Sequence, residues 1–312
     1  MDRAPSLRRR TFLGAMGAAA MAQAPSFPIV DTHIHLFDPG RPQGVPWPPR
    51  DSQIYKPALP DRFRKLTGAL GVTGAIEIEC SPWLEDNQWV LDVAAKSPII
   101  LGTIGNLEPD APEFGRQLER FHRNPLFRGI RYGNLWERSL AERIHNPGFV
   151  SGLKLLAGAG LVMDTANPDP ALVETIVRVT DRVPGLRIVM DHLPQCDPPA
   201  AGAARAAYDR NLRELAARPQ VYVKLSQVLR RMGGTVPRDL AVYRPRLDEL
   251  FGLFGENRVL YGSDWPNSDP MAPYDVVLAL VREYFQAKGA TIAEKYFWKN
   301  SQSVYRWTER KG

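Results

Sequence analysis

The sequence predicts a single-domain (β/α)8 barrel of the TIM type, and three observations point there. Eight short runs rich in β-branched residues alternate with longer amphipathic stretches. No glycine-rich nucleotide fingerprint follows the first run, which argues against an open doubly wound sheet. Polar and ionisable residues gather at the carboxyl ends of several runs, where barrel enzymes keep their sites.

Taken in order, the strands are expected at Ile29 to His35, Thr73 to Cys80, Ile99 to Asn106, Gly129 to Gly133, Leu161 to Thr165, Arg187 to His192, Val221 to Ser226 and Val259 to Asp264. The spacing of apolar residues predicts helices after them at Asp61 to Leu70, Gln88 to Lys96, Phe114 to Arg123, Phe149 to Ala157, Ala171 to Val183, Ala204 to Ala217, Pro245 to Phe254 and Asp275 to Lys288. Residues Ile292 to Trp307 are expected as an extra terminal helix outside the barrel. The link from Leu36 to Leu59 is far longer than an ordinary strand-to-helix connection. It holds six prolines together with Trp47 and Tyr55, and is read as a semi-rigid flap over the barrel mouth.

Composition bounds the function. The chain has 312 residues, 44% hydrophobic and 24% charged, which is enough to bury a large core. Its formal charge of +6 owes half its excess to four arginines set against Asp2 in residues 1–24; without that segment, 36 basic residues face 33 acidic ones. The rest are scattered, with no basic run interleaved with aromatics, so nucleic acid is not an expected partner. Cys80 and Cys196 fit no metal-ligand spacing and read as lone buried thiols. Residues 1–24 read as an export signal of the twin-arginine type, with Arg9-Arg10, a short apolar stretch and an Ala22-Gln23-Ala24 cleavage site. That apolar stretch is too short for an ordinary membrane span, so a periplasmic or secreted protein with no stable membrane insertion is expected. No heptad or interface patch indicates an oligomeric state.

Alternation along barrel strands sorts side chains into those facing the axis and those facing the helices. Placing apolar residues in the helix layer puts Asp31, His33 and His35 inside on the first strand, with Val30, Thr32 and Ile34 outside. The same rule puts Glu77 and Glu79 inside and Ile76 and Ile78 outside on the second strand, Arg131 inside on the fourth, and Tyr222, Lys224 and Ser226 inside on the seventh. His192 and Asp264 close the sixth and eighth strands. Burying so many ionisable groups without partners costs several kcal/mol each. Their convergence from six strands therefore points to an active site.

His33-Ile34-His35, Asp191-His192 and Gly262-Ser263-Asp264-Trp265-Pro266 stand in an order that resembles the amidohydrolase superfamily, and more narrowly its branch of sugar lactonases and 2-pyrone-4,6-dicarboxylate lactonase. The segments VDTHIHLFDP, FRGIRYG, IVMDHLP, VYVKLS and VLYGSDWP carry the likeness over about residues 27 to 307. The resemblance implies that His33, His35, His192 and Asp264 surround a reacting carbonyl and that the substrate is a small lactone or carboxylate. Asp264 would then be the general base, with Arg131, Lys224, Glu79, Ser226 and Trp265 contacting substrate. Trp47, Tyr55, Trp83 and Trp265 lie on loops that could pack against a ring.

His33, His35 and Asp264, with His192 or Glu79 as a further ligand, could hold one divalent ion, Zn2+ first by donor type. Metal-free operation stays equally open, because Arg131 nearby opposes a dication unless Glu77 or Glu79 offsets its charge. Binuclear superfamily members carry a Lys or Glu and a His where this chain has Arg131 and Thr165, which argues against two metals. Two further functions share the pattern: a metal-dependent decarboxylase of an aromatic or unsaturated acid, and a non-catalytic periplasmic binding protein.

Overall fold

The computed structural model describes residues 27–310, so the expected export signal lies outside the described residues. Eight parallel strands follow one another around a barrel: β1 (Ile29–Ile34), β2 (Val72–Ile78), β3 (Ile100–Gly105), β4 (Phe127–Arg131), β5 (Val162–Asp164), β6 (Arg187–Met190), β7 (Val221–Lys224) and β8 (Val259–Leu260). The last pair closes the ring through Thr32 N to Tyr261 O (3.1 Å), Asp264 N to His33 O (2.8 Å) and His35 N to Trp265 O (2.8 Å). β8 and β1 are thereby joined at the level of the histidines.

The helices form where the apolar spacing predicts them, and local chemistry sets their starts. Proline occupies the first turn at Pro60, Pro147 and Pro170, where its missing N–H costs nothing. Asp169 caps the amide of Leu172 at 2.7 Å. The helix Phe114–His122 buries Phe114, Leu118 and Phe121 along one face, each contributing roughly 2 kcal/mol of burial. One boundary differs from expectation: the helix before β8 runs Leu240–Phe254 and starts ahead of Pro245. Asp239 caps it through the Ala241 amide at 2.8 Å, and the proline is carried inside the helix.

Two apolar layers result. Ile29, Ile34, Ile100, Ile130, Ile188 and Val223 pack outward under the helices. Val30, Ile76, Ile78, Leu101, Val189 and Leu260 form a second cluster with Val304, Tyr305 and Trp307. The terminal helical stretch, Ala290–Glu294, Lys295–Lys299 and Asn300–Tyr305, therefore does not stay outside the barrel: its end closes the barrel floor. Arg187 donates to Val304 O at 2.6 Å, and the Tyr305 hydroxyl reaches Asp164 at 2.7 Å.

This layering corrects two strand phases. On β2, Ile76 and Ile78 belong to the inner cluster, while Glu77 is turned toward the helix Asp86–Ala95. On β1, Val30 is inside, and the register shifts between Asp31 and Ile34. Asp31 instead accepts from the amides of His33 (3.1 Å) and Ser263 (2.9 Å) and from the Tyr274 hydroxyl (2.9 Å). That bulge lets His33 and His35 both face the barrel mouth after Asp31 has turned away.

The long link packs as a folded flap. Phe37 and Ala58 exchange backbone hydrogen bonds at 3.1 and 2.9 Å, so its two ends are stitched together. Trp47 sits edge-on to His35 and to Phe37, both at 5.4 Å, and Arg41 pairs with Asp86 at 2.5 Å while lying over Trp89. Both cysteines are free and buried. No helix among the described residues is long and apolar enough to cross a membrane.

Candidate active site

The strand ends bring His33, His35, His192 and Asp264 together. Asp264 Oδ1 lies 3.1 Å from His35 Nε2, 3.3 Å from His33 Nε2 and 3.6 Å from His192 Nε2. All four residues are almost fully buried. Strict alternation would leave His192 with Ile188 and Met190 in the outer layer. It reaches the mouth because its φ is +52°, a left-handed conformation. Gln227 (φ +49°) and Asp264 (φ +65°) do the same just beyond β7 and β8. Such conformations cost of order 1 kcal/mol or more in a residue with a Cβ, so three at successive strand ends mark where backbone geometry serves the site.

Each member is held from behind. Asp264 Oδ2 accepts from the side-chain amides of Asn267, at 2.7 Å, and Gln227. His192 Nδ1 meets Ser226 Oγ at 2.8 Å, and His35 Nδ1 donates to Ile78 O at 2.8 Å. His33 Nδ1 lies 3.3 Å from Lys224 Nζ and 3.5 Å from Asp191. Below the histidines, Lys224 pairs with Asp164 (2.7 Å) and Asp191 (2.9 Å), while Arg131 Nε pairs with Asp191 at 3.2 Å. Arg131 also donates to Thr165 O at 3.1 Å.

Burial dominates the titration of these groups. It pushes His192 down to about 4 and His33 well below the usual imidazole range, with neighbouring positive charges adding to the effect on His33. Burial alone would raise Asp264, but its contacts with His192, His35 and His33 reverse this and hold the carboxyl well below its ordinary value. Asp164 is pushed up to about 7 by burial, against the pull of Lys224. Burial likewise raises Glu77 and Glu79.

These contacts test whether the residues fit a metal. Since Nδ1–H of His35 is committed to Ile78 O, Nε2 is the atom left to face the carboxylate of Asp264, at 3.1 Å. A contact this short needs a proton or a metal cation between the two atoms. Nε2 of His33 is buried without a hydrogen-bond partner, and donor atoms of His33, His192 and Asp264 all lie within 4.8 Å of one another. Nitrogen and oxygen donors around a tetrahedral ion stand about 3.3 Å apart, and the three histidine nitrogens lie 3.1, 3.3 and 3.6 Å from Asp264 Oδ1. The set fits one divalent ion. Glu79 is not part of it, for its carboxylate accepts from Trp136 Nε1 (3.1 Å) and the Ser81 amide (3.0 Å). Arg131, paired with Asp191, is a cation on the fourth strand where a second metal would need a ligand.

The mouth is a cavity of about 240 Å3 whose lining includes His35, His192, Asp264, Arg131, Trp47 and Trp136, with Asn167, Gln227 and Asn267 adding side-chain amides. Several expected substrate contacts lie elsewhere. Lys224 and Ser226 are buried behind the lining, in the partnerships already described. Trp265 packs on Phe63 at 5.3 Å under Arg62, and Trp83 is exposed. Trp136, Gln227 and Asn267 were not singled out from sequence. Only Asn267, three residues beyond Asp264 on the same loop, had a positional signal.

A parallel barrel with a histidine and carboxylate cluster at its carboxyl end defines a class of barrel enzymes. The chain belongs to the amidohydrolase family, whose model matches residues 30–307, and it is an enzyme, a hydrolase of that family. It is 29% identical over 240 residues to an L-fucono-1,5-lactonase of Burkholderia ambifaria, covering 77% of this chain and 80% of the relative. Its fold is shared with an amidohydrolase from Burkholderia multivorans crystallised with bound zinc (22% identity, 90% of this chain and 100% of that one, TM-score 0.77). It is also shared with 5-carboxyvanillate decarboxylase from Sphingomonas paucimobilis (13% identity, 91% and 100%, TM-score 0.61).

Proposed function

We propose that the protein hydrolyses the lactone of a sugar acid at the barrel mouth. The observation that carries this reading is the convergence of three imidazoles on Asp264 at the barrel mouth, a donor set suited to an electrophile that polarises a carbonyl. The similarity to a lactonase supports the same chemistry. A sugar ring is favoured over a dicarboxylate because Arg131 is the one basic side chain lining the mouth apart from the histidines, and Asp191 already offsets its charge. Amides of Asn167, Gln227 and Asn267 suit hydroxyls, and the indoles of Trp47 and Trp136 suit the faces of a ring.

In this reading Asp264 takes a proton from a water that attacks the lactone carbonyl carbon. The ring C–O bond then breaks, the leaving alkoxide takes up the proton, and an open hydroxy acid results. His33, His192 and Asp264, with His35 beside them, would hold a divalent ion, zinc first by their donor type. Such an ion supplies Lewis-acid polarisation and a more acidic water. Ser226 fixes the His192 ring, Gln227 and Asn267 aim Asp264, and Arg131 donates to a substrate oxygen. Export by the segment 1–24 belongs to the same proposal, and cell fractionation of an R9K/R10K variant tests it.

The direct experiment is a screen of sugar lactones and dicarboxylate lactones with a pH-indicator readout of acid release, with metal content measured before and after chelation. Acid released from a neutral sugar lactone is the expected result. Release of CO2 from an aromatic acid, with no lactone opened, would establish the decarboxylase instead. Reversible binding of a sugar acid without turnover of either kind would point to the binding protein.

A further inference from the structure

A second cavity adjoins the mouth, between the loop after β7, the loop after β8 and the helix Tyr274–Ala287. Its volume is about 440 Å3, nearly twice that of the mouth. The two cavities share Gln227 and Asn267, the two residues whose amides hold Asp264 Oδ2. A group entering the second cavity therefore sits next to the catalytic carboxylate, separated from it only by these amides.

The lining is mixed in a way that indicates a ligand class. Ser268 Oγ is buried and has no hydrogen-bond partner, an arrangement that costs about 1–3 kcal/mol unless something satisfies it. Arg230 is neutralised by a two-point contact with Asp197 at 2.6 and 2.8 Å. Arg231 has no acidic partner among the described residues and bonds only the Gly234 carbonyl, at 2.9 Å, so most of its donors are free. Val228, Leu229 and Met271 supply apolar wall, and Met271 is 38% exposed. Free hydroxyl and guanidinium donors over an apolar wall suit a second sugar unit, with hydroxyls on its edge and C–H groups on its face.

We propose that this cavity is a subsite for a glycosyl substituent on the lactone, making the enzyme selective for lactones of disaccharide acids. The proposal rests on the lactonase reading of the mouth. It assigns Arg231, Ser268 and Met271 to specificity, and none of the three lines the mouth.

The test compares glucono-1,5-lactone with its 4-O-galactosyl and 6-O-galactosyl derivatives, lactobiono- and melibiono-1,5-lactone. For the wild-type protein, kcat/KM is expected to be about tenfold higher for at least one disaccharide lactone. Met271→Trp, which fills the cavity, and Arg231→Ala, which removes its free donors, should each abolish that preference while leaving glucono-1,5-lactone within about twofold. Equal kcat/KM for all three lactones, or a preference untouched by both variants, overturns the subsite. If no lactone is opened, the reaction assigned to the mouth fails, and titration calorimetry with gluconate, lactobionate and melibionate still decides the subsite. One disaccharide acid binding about tenfold tighter than gluconate, in the wild type but not in Met271→Trp, upholds it; equal binding overturns it.

Discussion

Asp264→Asn separates chemistry from folding, because the surroundings of the carboxylate can accept an amide. Oδ2 receives two donors, from Asn267 and Gln227, so the carbonyl oxygen of the new side chain would take that place. Its NH2 would then replace Oδ1 and point at the His35 Nε2 lone pair, 3.1 Å away in the wild type. Each neighbour keeps a partner, and the change in unfolding free energy should stay within about 1 kcal/mol. The charge is lost, and with it both the base and one oxygen ligand. Loss of a general base lowers turnover about 10²- to 10⁴-fold, or roughly 3–5 kcal/mol of barrel-mouth barrier lowering. The assay is acid release from whichever lactone the wild type opens, with thermal unfolding and divalent metal per chain measured on the same sample. Wild-type turnover in a folded variant would refute the assignment of Asp264 as base.

Three other perturbations probe the supports. Lys224→Met strands Asp164 and Asp191 in the barrel with only Arg131 and the Tyr305 hydroxyl, and should cost about 3–5 kcal/mol, a fall of about 10 °C in Tm; an unchanged Tm would show that the network contributes nothing net. Ser226→Ala frees His192 Nδ1 and should lower kcat about tenfold with KM little changed, which steady-state kinetics on a confirmed substrate would read. His192, pulled down to about 4 in the folded protein from an ordinary 6.5, binds fewer protons folded than unfolded between those values, so its contribution to stability is complete above about 6.5 and lost as pH falls toward 4. Urea unfolding of the metal-free protein should show about 2 kcal/mol less stability from this residue at pH 5 than at pH 7, a difference that His192→Gln removes.

The barrel and the residues at its strand ends were legible because they depend on local signals: alternation, turn residues, and polar groups where a run of apolar ones stops. The phase of β2 was not legible. A barrel strand is apolar on both faces, so Ile76 and Ile78 look equally suited to the helix layer and to the axis, and only the packing of Tyr305 and Trp307 from the far end of the chain decides. Nor does alternation extend past a strand end where the backbone becomes left-handed. His192 reached the site against its phase for that reason, and Gln227, one residue past the expected seventh strand, was missed. Trp136 on the loop after β4 and the floor formed by the C-terminal residues depend on contacts distant in sequence, which one chain's pattern does not encode.

The charges inside the barrel explain why a cation fits despite Arg131. At sequence level Glu77 or Glu79 would have had to offset that arginine. Yet burial raises both carboxyls, Glu77 faces away from the axis, and Glu79 is engaged by Trp136. The offset comes from Asp191, which contacts Arg131 and Lys224 together, while Asp164 takes the other side of Lys224. Two cations and two carboxyl groups close on themselves beneath the histidines. Above them stand the imidazoles and the single carboxylate of Asp264, which its histidine contacts hold well below its ordinary titration range. The mouth is therefore left with the carboxylate of Asp264 ringed by three imidazole nitrogens, and the lower network holds Arg131 to Asp191. Removing Lys224 should accordingly weaken divalent-ion binding even though Lys224 lines no part of the mouth. The route is geometric, since His33 would lose the contact at Nδ1 that orients its ring.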